Sequence, residues 1–261
     1  MKRWLGIAKR QRFYADRIPS PALGLVDFDF SAWFDVAMKP KEMPWGTYIR
    51  IGTGRRLSNL GELLGIHWLT YNPIHFKHFH DNAVSNAKPV VATMRQIFPG
   101  LQRWVDVGAG SGAFAAEAKA AGLQVVACEH SKAGRRMGLR DGVDMREFDL
   151  TRDPPSDISD IFDLAYCFEV AEHLPEPLGV RLVKFLAEKA PTVVFTAAHP
   201  GQGGTGHINE QPKQYWIEKF ARAGMSLDEM KTEQLVKGFR DSKVRAKWFV
   251  ANALVFNRSV H

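Results

Sequence analysis

Residues 103–114 read RWVDVGAGSGAF, an apolar strand-like run that passes through Gly108, Gly110 and Gly112 into a helical pattern. Glycine has no Cβ, so the backbone can turn sharply there and approach a ligand closely. The amides and positive dipole end that open the next helix add hydrogen-bond donors suited to a nucleotide-like ligand. Because Ala113 follows, GAGSGA also fits the loose pattern G-x-G-x-x-G/A, so the glycine spacing alone accommodates nicotinamide and flavin dinucleotides as well as other ligands of Rossmann-like folds.

The acids around this loop narrow the reading. Asp106 stands two residues before the first glycine, at the carboxyl end of the strand, where open α/β sheets bind ligands. A carboxylate there repels a pyrophosphate and suits the ammonium of an amino-acid moiety. A second strand, 124–128, ends in Glu129, at the usual offset for an acid that takes ribose hydroxyls, which is consistent with both ligand types. Asp149 in EFDLT closes the next strand-like run, and a fourth strand, 161–168, ends in EVAEHLPEP.

With VDVGAGSG, ACEHS, EFDL and FDLAYCFEVAEHL in that order and at suitable separations, the chain resembles the class I S-adenosylmethionine-dependent methyltransferases over 88–261, about two thirds of its length. The resemblance implies an α/β fold, a doubly wound, mostly parallel seven-stranded Rossmann-like sheet. It implies S-adenosylmethionine as cofactor and S-adenosylhomocysteine as product. It also assigns roles: Asp106, Gly108, Ala109 and Gly110 to the methionine portion; Glu129, with His130 beside it, to the ribose; Asp149 to the adenine amino group, with Leu150 against the ring; Phe168 and Glu169 to the methionine side and the mouth of the acceptor site. Asp149 also suits a turn or helix-cap acid before Thr151, and Glu172 and His173 suit either a helix start or, for His173, substrate binding.

Period and punctuation predict helices over 82–97, 113–121, 176–190 and 212–223 and a fifth strand over 192–197, and the resemblance implies that the closing segment WFVANALVF, 248–256, is the antiparallel strand inserted beside the fifth. Alternating strands and helices imply parallel pairing with right-handed crossovers. The division expected is residues 1–80 as an amino-terminal extension and lid, and 81–261 as the methyltransferase domain. Trp68, Tyr71, Phe76 and Phe79 are the aromatic residues expected to cover the pocket.

After the fifth strand comes HPGQGGTGHINEQPKQYW, 199–216, glycine-rich and polar, on the side where the methyl group must emerge. It resembles segments of methyltransferases that act on sugars and other polyhydroxylated natural products. An alcohol needs a base to become a nucleophile, so His207 and His199 are candidate general bases, with Glu210 as partner or alternative. A loop-ordering hydrogen bond is the competing role for each histidine. Asn209 and Gln211 are candidates to fix substrate hydroxyls, or Glu210 and Gln211 to cap the helix at Pro212. His75, His78, His80 and Asp81 invite a metal reading, but their spacing matches no zinc pattern and no cysteine supports one, so no metal is expected.

The 261 residues, 45% hydrophobic, suffice for one principal core. Cys128 and Cys167 read as small buried hydrophobes, which points to a reducing compartment. No apolar run suggests a signal peptide or a membrane span, so a cytoplasmic protein is expected. The net charge of +7 is uneven: residues 1–80 hold 12 Lys/Arg against 6 Asp/Glu, 81–230 hold 16 against 20, and 231–261 hold 7 against 2. Basic flanks suit a phosphate-bearing acceptor, a polyanionic glycan or RNA. Three functions follow: O-methylation of a sugar, glycan or related polyol; methylation of RNA or other nucleic acid; and a noncatalytic S-adenosylmethionine-binding module. The oligomeric state is not written in these motifs.

Overall fold

The computed structural model describes residues 73–242 and 244–259. Contacts divide the chain into two units, 1–79 with 204–208, and 80–203 with 209–261. Trp68 and Tyr71, expected to belong to a lid, and the side chains of His75, Phe76 and His78 lie outside the described residues.

The second unit holds one seven-stranded sheet, built from β1 (Arg103–Val107), β2 (Gln124–Glu129), β3 (Asp144–Glu147), β4 (Leu164–Phe168), β5 (Thr192–Thr196), β6 (Met225–Leu227) and β7 (Leu254–Arg258) in the order β3-β2-β1-β4-β5-β7-β6. Strands β1 to β5 pair in parallel, and β7 runs antiparallel to both β5 and β6. Strand order reverses between β1 and β4, which places the ligand-binding crevice of such sheets at their carboxyl ends.

Strands in the middle of this sheet are buried on both faces, which accounts for continuous apolar runs such as TVVFT rather than alternation. One face sends Val105, Val107, Cys167 and Phe195 against α4 (Glu176–Lys189) and α5 (Lys213–Arg222). There Phe220 stacks on Phe256 with centroids 3.9 Å apart. The other face sends Trp104, Tyr166, Val194 and Val255 against α1 (Pro73–Ile97), α6 (Glu229–Asp241) and α7 (Lys247–Asn252). Helices α2 (Ala113–Ala120) and α3 (Lys132–Arg140) flank β1, β2 and β3. Both cysteines are free and buried, as small core residues.

Two expectations need correction. Helix α1 starts at Pro73, nine residues before 82; Pro is tolerated in a first turn, and the aromatic and imidazole residues of 73–81 hide the helical period. Its buried stripe, Ala87, Val90, Val91 and Met94, keeps it intact through Pro89. The segment WFVANALVF is not all strand: 247–252 form α7, because Ala246, Phe249 and Ala253 are buried at helical spacing, and only 254–258 join the sheet. Helix α3, strand β6 and helix α6 have no counterpart in the sequence reading. Among the described residues, no helix is long and apolar enough to cross a membrane.

Candidate functional site

The glycine loop is pinned to β2 through its backbone: the amides of Gly108 and Ala109 donate to the Cys128 carbonyl at 2.8 and 2.9 Å. Gly108 has φ 78°, and a Cβ there would run into the Val170 side chain. Gly110, at φ 57°, is different, since a Cβ there would meet nothing within 4 Å and its outer side is open. Gly112 lets α2 approach Gly138 of α3, the Cα of which lies 3.2 Å from where a Cβ would stand. His80 of α1 spends its Nδ1 on the Ser111 hydroxyl of this loop, at 2.8 Å.

Three acids line the carboxyl ends of β1, β2 and β3. Asp106 is 3% exposed and sits in register with Tyr166 on β4. Burial pushes its carboxyl up to about 8; the facing Tyr166 hydroxyl pulls the other way and Glu129 adds to the rise. Among the described residues, neither Asp106 Oδ2 nor the Tyr166 hydroxyl makes a well-formed hydrogen bond, although both are buried and sit in register on neighbouring strands. An orphaned carboxylate oxygen beside an open glycine loop fits the ammonium end of an amino-acid ligand. Glu129 accepts from the Gly110 amide at 2.7 Å through one oxygen and from the Ser131 amide at 2.6 Å through the other. Burial raises its pKa against the pull of those two bonds. His130 is exposed, and its carbonyl accepts from Arg135 at 2.6 Å.

Asp149 lies two residues past β3 in a turn, where its Oδ1 accepts from the Thr151 amide at 2.9 Å and the Thr151 hydroxyl at 2.6 Å, and its Oδ2 pairs with Arg152 at 3.2 Å. Burial raises its pKa, but the two Thr151 bonds, with His130 and Arg152, together outweigh that and the net shift is downward. The turn geometry and a ligand role are compatible, since a carboxylate has further lone pairs. Leu150 is buried in the core beside Phe148.

The ends of β4 and β5 carry a side-chain network. Phe168 packs edge-on against Phe114 and Phe249, with centroids 5.3 and 5.0 Å away. Glu169 follows at φ 54°, a conformation that costs a non-glycine residue on the order of 1 kcal/mol and that clusters at functional sites. Its amide is held by the carbonyl and hydroxyl of Thr196, at 3.2 and 3.1 Å. Its carboxylate accepts from Gln202 Nε2 at 2.8 Å and from Asn252 Nδ2 at 3.1 Å. Asn252 Nδ2 also donates to Gln202 Oε1 at 2.8 Å. His199, exposed just beyond β5, places Nδ1 3.1 Å from Gln202 Oε1 and 3.2 Å from Asn252 Oδ1.

Glu210 clamps the backbone of the glycine-rich loop, accepting from Gly201 at 2.9 Å and Gly203 at 2.7 Å. It does not cap α5, which has no side-chain cap at all, so the capping alternative for Glu210 and Gln211 is set aside. Asn209 is 3% exposed; its Oδ1 accepts from Gln211 at 2.9 Å and its backbone N–H donates to the Glu172 carbonyl at 3.0 Å. Glu172 is wholly buried, and its pKa is driven well above the usual range, first by burial and then by Glu169. His173 ends the short turn Ala171–His173 and is half-buried. His207 falls in the first unit, where its half-buried ring fills the space a Gly204 side chain would need.

Sequence reasoning missed Tyr166, Gln202 and Asn252. Tyr166 carried a signal, being a polar aromatic in the middle of a buried parallel strand one register step from an acid. Asn252 carried almost none, because it meets Glu169 across 83 residues.

A family model described as "Methyltransferase domain" matches residues 76–226. Among solved structures, the chain is similar to an O-methyltransferase family protein from Burkholderia thailandensis (TM-score 0.56, 13% identity, covering 82% of this chain and 69% of that one). It is similar to a TehB-like SAM-dependent methyltransferase from Corynebacterium glutamicum (0.53, 16%, 72% and 100%). It is similar also to the sugar N-methyltransferase KedS8 from Streptoalloteichus sp (0.52, 16%, 67% and 88%). At such identities the likeness speaks for the fold. No curated protein matches the sequence.

Proposed function

The chain belongs to the methyltransferase domain family and is an S-adenosylmethionine-dependent methyltransferase; from that premise we propose that it methylates a hydroxyl oxygen of a sugar, glycan or related polyhydroxylated small molecule. The bound cofactor supplies an electrophilic methyl group on a sulfonium. In this reading Asp106 takes the ammonium of the cofactor, Glu129 its ribose hydroxyls and Asp149 its adenine amino group, with Gly108, Ala109, Gly110, His130, Leu150 and Phe168 shaping the cradle. In-line displacement asks the protein for alignment and for a deprotonated nucleophile. His199 and His207 are the imidazoles available to take that proton at neutral pH.

The observation that carries an oxygen acceptor is the exposed imidazole of His199 at the carboxyl end of β5, anchored through Nδ1 beside Glu169. A base is what an alcohol needs and what a free amine, already a nucleophile when neutral, needs far less. Glu210 acts on the loop backbone in this account, and His173, Asn209 and Gln211 shape its inner wall. Transfer of a labelled methyl group to a panel of sugar nucleotides, glycans, polyols, amines and RNA tests the proposal. Label on hydroxyl oxygens of the polyols supports it, and label only on amines removes it.

The second reading, RNA methylation, draws on the basic flanks, 12 cationic against 6 anionic residues over 1–80 and 7 against 2 over 231–261. It calls for methyl incorporation into RNA together with binding that weakens steeply with salt.

A further inference from the structure

Glu169 fixes the orientation of two amides. A carboxylate only accepts, so the amide nitrogens of Gln202 and Asn252 face it, at 2.8 and 3.1 Å. The Asn252 nitrogen spends its other hydrogen on Gln202 Oε1 at 2.8 Å. Both amide oxygens are then turned towards Nδ1 of His199, at 3.1 and 3.2 Å. An amide oxygen cannot donate, so Nδ1 must carry the hydrogen. In a neutral imidazole the lone pair is then on Nε2. A free imidazole favours the opposite tautomer.

We propose that Gln202 and Asn252 are positioning residues that lock His199 in its Nδ1–H tautomer and so present Nε2 as the proton acceptor for the substrate hydroxyl. This rests on the hydroxyl-methylation reading above. As the new C–O bond forms and the S–CH3 bond breaks, the electron pair of that bond stays on sulfur and the hydroxyl proton moves to Nε2. The imidazolium that results has both ring nitrogens as donors, so the bonds from Nδ1 persist through the step. His199 then returns its proton to solvent. The strained backbone of Glu169, held by Thr196, is what aims the carboxylate at both amides. Asn252, 2% exposed at the end of α7, thus ties the carboxyl-terminal segment to the reacting side of the sheet.

The test reads the tautomer directly, by two-bond proton–nitrogen correlation on 15N-labelled protein above the imidazole titration, with His199 assigned by its loss in His199→Gln. The wild-type protein is expected to show protonated Nδ1 and bare Nε2. A double variant, Gln202→Leu with Asn252→Leu, is expected to revert towards the Nε2–H form. Where burial of Asn252 makes the double variant unstable, Gln202→Leu alone is expected to give a mixed population. An Nε2–H form in the wild type, or an Nδ1–H form that survives loss of both amides, overturns the proposal.

The tautomer is read without donor or acceptor, so its failure is distinct from failure to methylate a polyol. With a polyol that the wild-type enzyme methylates, the double variant is expected to lose roughly tenfold in kcat while the KM for S-adenosylmethionine stays within about twofold. Unchanged kcat beside a lost tautomer would equally overturn it.

Discussion

The side proposed to hold the cofactor and the side proposed to hold the acceptor are held together in different ways. On the cofactor side, the loop after β1 is fixed by backbone hydrogen bonds to Cys128 and by Glu129 gripping Gly110 across 19 residues. On the acceptor side, the order comes from side chains far apart in sequence: Glu169 meets Asn252 across 83 residues, and His199 meets it across 53. The first is a property of one βαβ unit. The second depends on where α7 happens to deliver an asparagine, and can change without disturbing the first. One scaffold can therefore keep its methyl donor while its acceptor chemistry varies.

The largest expected effect breaks the cofactor side alone. Gly108→Ala puts a Cβ into Val170 at a positive φ, and roughly 3 kcal/mol of stability together with detectable S-adenosylmethionine binding should be lost, read by chemical melts and calorimetry. Gly110→Ala has open space and should lose binding with a much smaller change in the melt.

Asp106→Asn comes next. Its folded carboxyl titrates near 8 instead of 3.8, so between those values the unfolded chain has lost a proton that the folded protein keeps, and stability falls as pH rises across that window. The substitution should remove this slope, raising Tm near pH 8 by roughly 3–6 °C, while weakening S-adenosylmethionine about 10- to 100-fold. A melt that stays pH-dependent between 4 and 8 to the same degree would remove Asp106 as its source.

Glu210→Ala should separate the two sides in the other sense. It frees the amides of Gly201 and Gly203, so turnover should fall roughly tenfold while donor affinity stays within about twofold. The smallest effect is expected of Tyr166→Phe, which deletes a hydroxyl that faces Asp106 without a well-formed hydrogen bond; stability should change by less than about 1 kcal/mol, and donor affinity at pH 7 should fall roughly two- to threefold as the Asp106 carboxyl loses that pull and titrates higher.

The same contrast governs what was legible in the sequence. Asp106, the glycines and Glu129 were readable because strand, turn and helix follow one another locally, and the parallel pairing followed from alternating strands and helices. The helical half of 248–256 was hidden because Trp248, Phe249 and Val250 read as a strand when taken as a run, whereas burial picks out Ala246, Phe249 and Ala253 at helical spacing. Glu210 could be named from its place in a polar loop, but not its bonds to Gly201 and Gly203, which depend on the loop folding back on itself. Gln202 and Asn252 were invisible, since an amide gains meaning only from the carboxylate and imidazole that tertiary structure brings to it.

The most direct test of the whole account is labelled-methyl transfer by the wild-type protein and by His199→Ala to the panel of polyols, amines and RNA, with donor binding measured on both. The account predicts label on polyol oxygens, lost in His199→Ala although that variant binds S-adenosylmethionine as the wild type does. Label on amines or RNA instead, or polyol methylation undiminished in His199→Ala, would contradict it.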